Sequence, residues 1–321
     1  QVVAWIFYLL LLYSILCAYI SGGGDLFHYL LAKHLALPIW ASCIIFTVLF
    51  GIVVYFGIRA VDYVNRGLMF GKLGALLLLI AFIMPFVSPA YLAAGELKQI
   101  FAPTTISVIT VAFASLMIIP SLRGYFKDDI RSLRLTIFFG TFIPLLCYIA
   151  WDMVILGVVP LEGEHGMRSM LHSATSNSDL LSTLTTMLHK DSITFLAKFF
   201  TSICMATSFL SIALSLSDFL ADGLKIEKKG KGNVIIFGAT FIPPIAVVLI
   251  YPDAFIQGLK YAGLSCFILM IALPPLMAWA GRYHFGLAQG QEYRVRGGKY
   301  LLAALMVFAT LMLGLGIEGV V

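Results

Sequence analysis

The sequence predicts an all-α polytopic membrane protein with about nine transmembrane helices, and three observations lead there. Long apolar stretches are separated by short loops throughout the chain. Loops that carry Lys and Arg alternate with loops that carry few, the pattern that fixes orientation in a bilayer. With 61% hydrophobic residues, 12% charged residues and a mean hydropathy of +0.99, the 321 residues are too apolar for a water-soluble core to absorb.

Spanning segments are expected at Val2–Ile20, Pro38–Ile58, Asn65–Val87, Thr105–Pro120, Leu135–Val159, Ser192–Gly223, Val234–Tyr251, Phe255–Ala280 and Lys299–Gly319. All but the short fourth approach or exceed the roughly 20 residues that cross a bilayer. Alternate loops gather Arg59, Arg66, Arg123, Lys127, Arg131, Arg134, Lys225, Lys228, Lys229, Lys231, Arg282, Arg294, Arg296 and Lys299 on one side, which is assigned to the cytoplasm. The opposite loops hold little beyond Lys33, Lys98, Arg168 and Lys190. The first segment therefore runs outward and the C-terminus lies outside. The longest external stretch, Pro160–Lys190, contains Leu180, Leu181, Leu184 and Leu188 at helical spacing and predicts a capping helix.

A formal charge of +5 is spread over alternate loops with no basic run interleaved with aromatics, so it marks topology and not a nucleic-acid surface. Cys17, Cys43, Cys147, Cys204 and Cys266 all fall in apolar stretches and read as packing residues without a disulfide framework. The chain opens at Gln1 directly into an apolar segment with no cleavage site, which reads as a spanning helix with something missing upstream. No HExxH, phosphate loop or GxSxG occurs, and the six histidines lack metal-ligand spacing. No catalytic residue, metal site or cofactor is expected, and the chain is not read as an enzyme. Oligomeric state leaves no signature in the sequence.

The sixth segment carries Thr194, Lys198, Thr201, Ser208, Ser211, Ser215, Asp218 and Asp222 on one helical face. A polar stripe in a membrane helix faces protein or water, because hydroxyls and carboxylates turned to lipid are costly. Two readings are open: interhelical hydrogen bonding, or a polar pathway ending in two carboxylates. In the third segment, Asp62 and Arg66 are spaced for a surface ion pair, and Lys72 lies roughly 10 Å into the helix at 1.5 Å per residue. An ammonium there either snorkels to the interface or serves in proton coupling, since burial disfavours its charged form. Asp152, deep in the fifth segment beyond Pro144, is a proton site or a structural partner for Lys72 or Lys198. Ala112-Phe113-Ala114-Ser115 falls in the short fourth segment before Pro120, either as an ordinary short helix or as the interrupted helix of a midplane site. Tyr19 precedes Ser21-Gly22-Gly23-Gly24, read as a flexible run, and is an interface anchor or a ligand contact.

Several strings, taken in order, resemble the bacterial hydroxy and aromatic amino acid permeases, the tyrosine- and tryptophan-specific transporters of the amino acid–polyamine group. They are Ala18-Tyr19-Ile20-Ser21-Gly22, Val61-Asp62 to Lys72, Ile119-Pro120-Ser121, Arg131-Ser132-Leu133-Arg134, and Ile143-Pro144-Leu145 with Tyr148 and Trp151. The series continues with Ala206-Thr207-Ser208-Phe209-Leu210, Asp218-Phe219-Leu220-Ala221-Asp222, Phe241-Ile242-Pro243-Pro244, Tyr251-Pro252 and Tyr293-Arg294-Val295-Arg296-Gly297-Gly298.

The resemblance implies a leucine-transporter-like fold of two inverted five-helix repeats with an extra eleventh helix. Residues 1–321 would form one transmembrane domain: 1–87 the remainder of the first repeat, 101–280 the second with its external loop helix at 176–190, and 299–321 the extra helix. Two helices would precede Gln1, among them the Gly-rich broken helix that supplies much of the family's substrate site. The family's aromatic-His-Gly pattern is replaced here by Ala114-Ser115-Leu116-Met117. The implied activity is import of tyrosine, tryptophan or phenylalanine across the bacterial inner membrane by proton symport and alternating access.

The resemblance also implies roles for single residues. Tyr19, Phe113, Ala114 and Ser115 would contact substrate, and Lys72, Thr207 and Ser208 would serve coupling; to these the residue reading itself adds Asp152 for coupling and Ser211, Ser215, Asp218 and Asp222 for a cytoplasmic pathway. A non-transporting amino acid sensor or assembly partner, or an inactive truncated transporter, is the alternative.

Overall fold

In a computed structural model the described residues are 2–31, 37–94, 102–113, 119–126, 129–163, 166–170, 176–188, 190–251, 254–285 and 297–318. They form helices α1 (Val2–Leu31), α2 (Ile39–Tyr55), α3 (Ile58–Ile83), α4 (Pro89–Leu92), α5 (Pro103–Ala112), α6 (Ile119–Phe126) and α7 (Ile130–Val158). Then follow α8 (Met167–Met170), α9 (Ser176–Leu188), α10 (Asp191–Leu224), α11 (Lys231–Ile250), α12 (Ala254–Cys266), α13 (Leu273–Trp279) and α14 (Gly298–Glu318). π-helical turns at Phe267–Ala272 and Ala280–His284 join α12 and α13 into one long rod. No strand occurs among the described residues. Among the described residues, six helical rods are long and apolar enough to cross a bilayer, and Ile39–Tyr55 and Gly298–Gly314 are shorter apolar helices. The protein is an all-α, multi-pass membrane protein.

Three boundaries differ from expectation. The first helix does not stop at Ile20 but runs through Gly22-Gly23-Gly24 to Leu31. The glycines are not a flexible run; they are a small face against α2. A Cβ on Gly23 would lie 2.4 Å from the Phe46 ring, and one on Gly24 would lie 2.2 Å from Cys43 Sγ and 2.8 Å from Cys43 Cα. The third helix begins at Ile58, seven residues before Asn65, because Gly57 at φ +86° makes the turn that releases α3 from α2. The stretch 105–120 is not one helix: α5 leaves helical geometry at Phe113 (φ −101°, ψ 18°), and α6 starts at Ile119.

The chain divides into two compact units. In the larger, residues 12–96 and 145–258, α10 packs against α2, α3, α9 and α11. Its centre is an aromatic cluster. Phe46 and Phe209 meet edge to face at 5.1 Å, Phe27 and Phe50 flank Phe46 at 5.3 and 5.0 Å, and Phe241 stacks on Phe209 at 5.8 Å. Such pairs add about 0.5–1.5 kcal/mol each beyond area burial.

Polar ties join the helices of this unit. Pro243 has no N–H to offer the carbonyl of Ala239 one turn back, and the Tyr13 hydroxyl donates to that oxygen at 2.6 Å. The Cys17 thiol reaches the Pro244 carbonyl at 3.8 Å. Gly258 brings α12 against α1, where a Cβ would lie 2.6 Å from the Ser14 carbonyl oxygen.

The helix anticipated in Pro160–Lys190 is α9, and its first turn is held by a carboxylate from α1. Asp25, 3% exposed, accepts the Ser178 N–H at 2.9 Å and the Ser178 hydroxyl at 2.6 Å. Those donors belong to the helix end where backbone N–H groups lack intrahelical partners and negative charge is favoured.

The smaller unit comprises residues 1–11, 97–144 and 259–321, and there α14 packs on α5, on α13 and on the π-helical turn at 267–272. Asp129 caps α7 by accepting the Ser132 N–H at 3.0 Å, and the Ser132 side chain first, then this N–H, hold its exposed carboxyl below the usual range.

Gly24→Ala should lower the thermal midpoint of the detergent-solubilised protein, with overpacking costing about 1–3 kcal/mol. Adding Cys43→Ala should recover part of that loss by removing the clashing sulfur. Strictly additive effects would show that the two helices do not touch here. Asp25→Ala should cost about 1–3 kcal/mol by orphaning the Ser178 donors. It should also speed proteolysis within 160–190, and unchanged cleavage would remove Asp25 from the docking of α9.

Candidate functional site

Helices α1, α3, α7 and α10 bring polar groups together inside the larger unit. The long α3–α10 contact allows this, since Gly71 presents no side chain: a Cβ there would meet Ile203 at 3.3 Å and Phe199 at 3.5 Å. The neighbouring residue is Lys72. It sits fourteen residues past Ile58, about 21 Å along the helix at 1.5 Å per residue, and so midway in the rod Ile58–Phe86. The first turns of α3 carry Arg59, Asp62 and Arg66, so Lys72 lies six residues, about 9 Å, past the last of these charges. Its ammonium is half-buried beside the Cys204 thiol and has no carboxylate partner among the described residues. Two turns back, Asn65 Oδ1 is buried with no hydrogen-bond partner among the described residues. Asp62 and Arg66 form the expected exposed pair at 2.8 Å.

On α10 the residues Thr207 and Ser208 part company. Thr207 is buried, and its hydroxyl donates back to the carbonyls of Ile203 at 2.9 Å and Cys204 at 3.1 Å. Ser208 instead lies near the Tyr19 phenol, and Tyr148 and Cys204 share that neighbourhood. Tyr19 therefore points into a polar junction of α1, α7 and α10 and not outward as an interface anchor. Trp151 lies one turn beyond Tyr148 and tilts against Phe200 at 5.2 Å.

Asp152 is exposed on α7 and has no ion pair among the described residues. The proposed pairing with Lys198 is not formed, because Lys198 lies over the Tyr29 ring at 5.0 Å. Nor is Asp152 paired with Lys72. Ser211 and Ser215 are exposed along α10, with hydroxyls returned to the carbonyls of Thr207 and Ser211 at 2.9 Å each. Both hydroxyls are locally satisfied yet keep lone pairs free on an open face. Asp218 pairs with Lys228 across the turn that follows α10, and Asp222 is exposed. Asp218, Asp222, Lys225 and Lys228 surround an open cavity of about 700 Å³. Phe113 belongs to the smaller unit, half-buried at the end of α5; Ala114 and Ser115 lie outside the described residues.

Tyr148, Cys204 and Asn65 escaped the sequence reading as site residues. Tyr148 and Trp151 are spaced to share a face of α7 with a polar neighbour, a weak signal. Cys204 resembled any buried thiol, and Asn65 was noted only as the start of a helix that begins elsewhere.

The comparisons agree over nearly the whole chain. It is 31% identical to Tyrosine-specific transport system 1 of Haemophilus influenzae, over 97% of this chain and 76% of that protein. It is 29% identical to the Tryptophan-specific transport protein of Pseudomonas aeruginosa, over 92% and 71%, and 28% identical to Glutamine transporter 2 of Aliivibrio fischeri, over 98% and 79%. No solved structure matches. With the tryptophan/tyrosine permease family model matching residues 1–315, the chain belongs to that family.

Proposed function

We propose that this protein imports aromatic amino acids across the bacterial inner membrane by proton symport with alternating access. The observation that carries the reading is membership of the tryptophan/tyrosine permease family, with relatives named for tyrosine and for tryptophan. The polar junction in the larger unit supports it, because it offers the chemistry that a zwitterionic aromatic ligand needs.

In this reading the Tyr19 hydroxyl hydrogen-bonds the substrate carboxylate beside Ser208. Phe113, Ala114 and Ser115 supply the contacts of an unwound helix. Lys72 carries the coupling proton: it is the ammonium that α3 brings to the junction, and it has no carboxylate partner among the described residues. Its proton leaves through Ser208 and Thr207, with Asp152 exposed on α7 as a second acceptor. Ser211, Ser215, Asp218 and Asp222 then form an open polar face along which substrate is released. The same reading takes 1–87 and 101–280 as the parts of a leucine-transporter-like inverted repeat, with 299–321 as an extra helix. It needs no metal or organic cofactor, and the protein acts as a transporter and not as an enzyme.

Uptake of labelled tyrosine, tryptophan and phenylalanine into proteoliposomes under an inward proton gradient tests the reading. Proton-driven uptake competed by aromatic amino acids is expected. Competition by glutamine alone would shift the substrate towards that of the Aliivibrio relative, and saturable binding without uptake would leave a sensor. Lys72→Gln should abolish proton-driven uptake while tyrosine binding persists; unaltered proton-driven uptake would sink the coupling role. Tyr19→Phe should weaken tyrosine binding by about 1 kcal/mol, one hydrogen bond, or roughly fivefold. An unchanged dissociation constant would remove Tyr19 from the substrate site.

A further inference from the structure

Within the smaller unit, a groove runs between the α12–α13 rod and α14, enclosing about 340 Å³. Three features of the sequence open it. The π-helical turn at 267–272 widens the rod, Pro274 and Pro275 follow with short rings, and Gly298 starts α14 without a side chain. Met270 and Phe308 close its far end, and Leu302 and Leu305 line its length. From Gly298 to Phe308 is about 15 Å at 1.5 Å per residue, the reach of a hydrocarbon chain.

The mouth has the opposite character. Arg282, half-buried in the second π-helical turn, lines the groove and makes no ion pair or side-chain hydrogen bond among the described residues. Beside it Lys299 is held over the Tyr283 ring at 4.9 Å, so two cations stand at one end of an apolar slot. A guanidinium has five donors in a planar fork suited to phosphate oxygens. The positive-inside assignment puts Arg282 and Lys299 at the cytoplasmic surface, where anionic lipids concentrate.

We propose that this groove binds one anionic phospholipid, with its headgroup phosphate on Arg282 and an acyl chain along α14 towards Phe308. The occupant is a lipid and not free phosphate, because the lining beyond Arg282 is apolar and offers an inorganic ion nothing. The inference is independent of the transport reading.

Native mass spectrometry of the delipidated full chain in detergent tests it, with phosphatidylglycerol, phosphatidylcholine and inorganic phosphate added separately. One phosphatidylglycerol should be retained in preference to phosphatidylcholine, and it should raise the thermal midpoint. Arg282→Gln should weaken retention about tenfold, the loss of a charge-assisted contact, and Arg282→Lys should retain part of it. Leu305→Trp, which fills the slot and leaves the charge, should also lose the lipid. Equal retention of both lipids, equal retention by wild type and Arg282→Gln, or stabilisation by inorganic phosphate matching that by phosphatidylglycerol would each overturn the proposal.

Discussion

A bilayer supplies no water to hydrogen-bond stray polar groups, and this constraint orders everything else in the protein. Where a proline strips a donor from α11, a tyrosine from α1 replaces it. Where a carboxylate is buried near the end of α1, the first turn of α9 satisfies it. Thr207, Ser211, Ser215 and Thr240 return their hydroxyls to carbonyls one turn back. Against this habit of local settlement, the Lys72 ammonium and the Asn65 side-chain oxygen stand out, since the first has no carboxylate partner and the second no hydrogen-bond partner among the described residues. They are the groups for which packing gives no reason.

Helix α10 reconciles packing with polarity by dividing its surface. Ala206, Phe209, Leu210, Ala213 and Leu216 are buried and build the core of the larger unit. Ser211, Ser215, Asp218 and Asp222, at helical spacing between them, stay open. One long helix is thus both the spine against which α2, α3 and α11 are set and the wall of a polar face. The aromatic cluster around Phe46 and Phe209 keeps that wall in register with Tyr19 on α1.

Helix existence and class were legible in the sequence because the demand for a long apolar run is written residue by residue. The stripe on α10 was legible for the same reason, since a periodicity of three and four needs no partner to be seen. Boundaries were harder. Gly22-Gly23-Gly24 reads as a breaker until the ring of Phe46 and the thiol of Cys43 occupy the space that side chains would need. The start of α3 was not legible, because Gly57 sets that point through a backbone angle that composition does not announce. The pairings were hardest of all: Lys198 chose the Tyr29 ring over Asp152, and Asp25 found Ser178 across 153 residues. Long-range partners are fixed by packing, which a single sequence does not display.

The bond from Tyr13 to Ala239 carries a meaning beyond stability. A phenol that exists to replace the missing donor of Pro243 is useful only while the proline is there. Losing the proline alone would restore the helix bond and strand the hydroxyl; losing the hydroxyl alone would strand the carbonyl. Each single step passes through a mismatched state within the membrane, so the two positions, far apart along the chain, form one heritable unit. Lineages descended from this protein should keep both residues or exchange both.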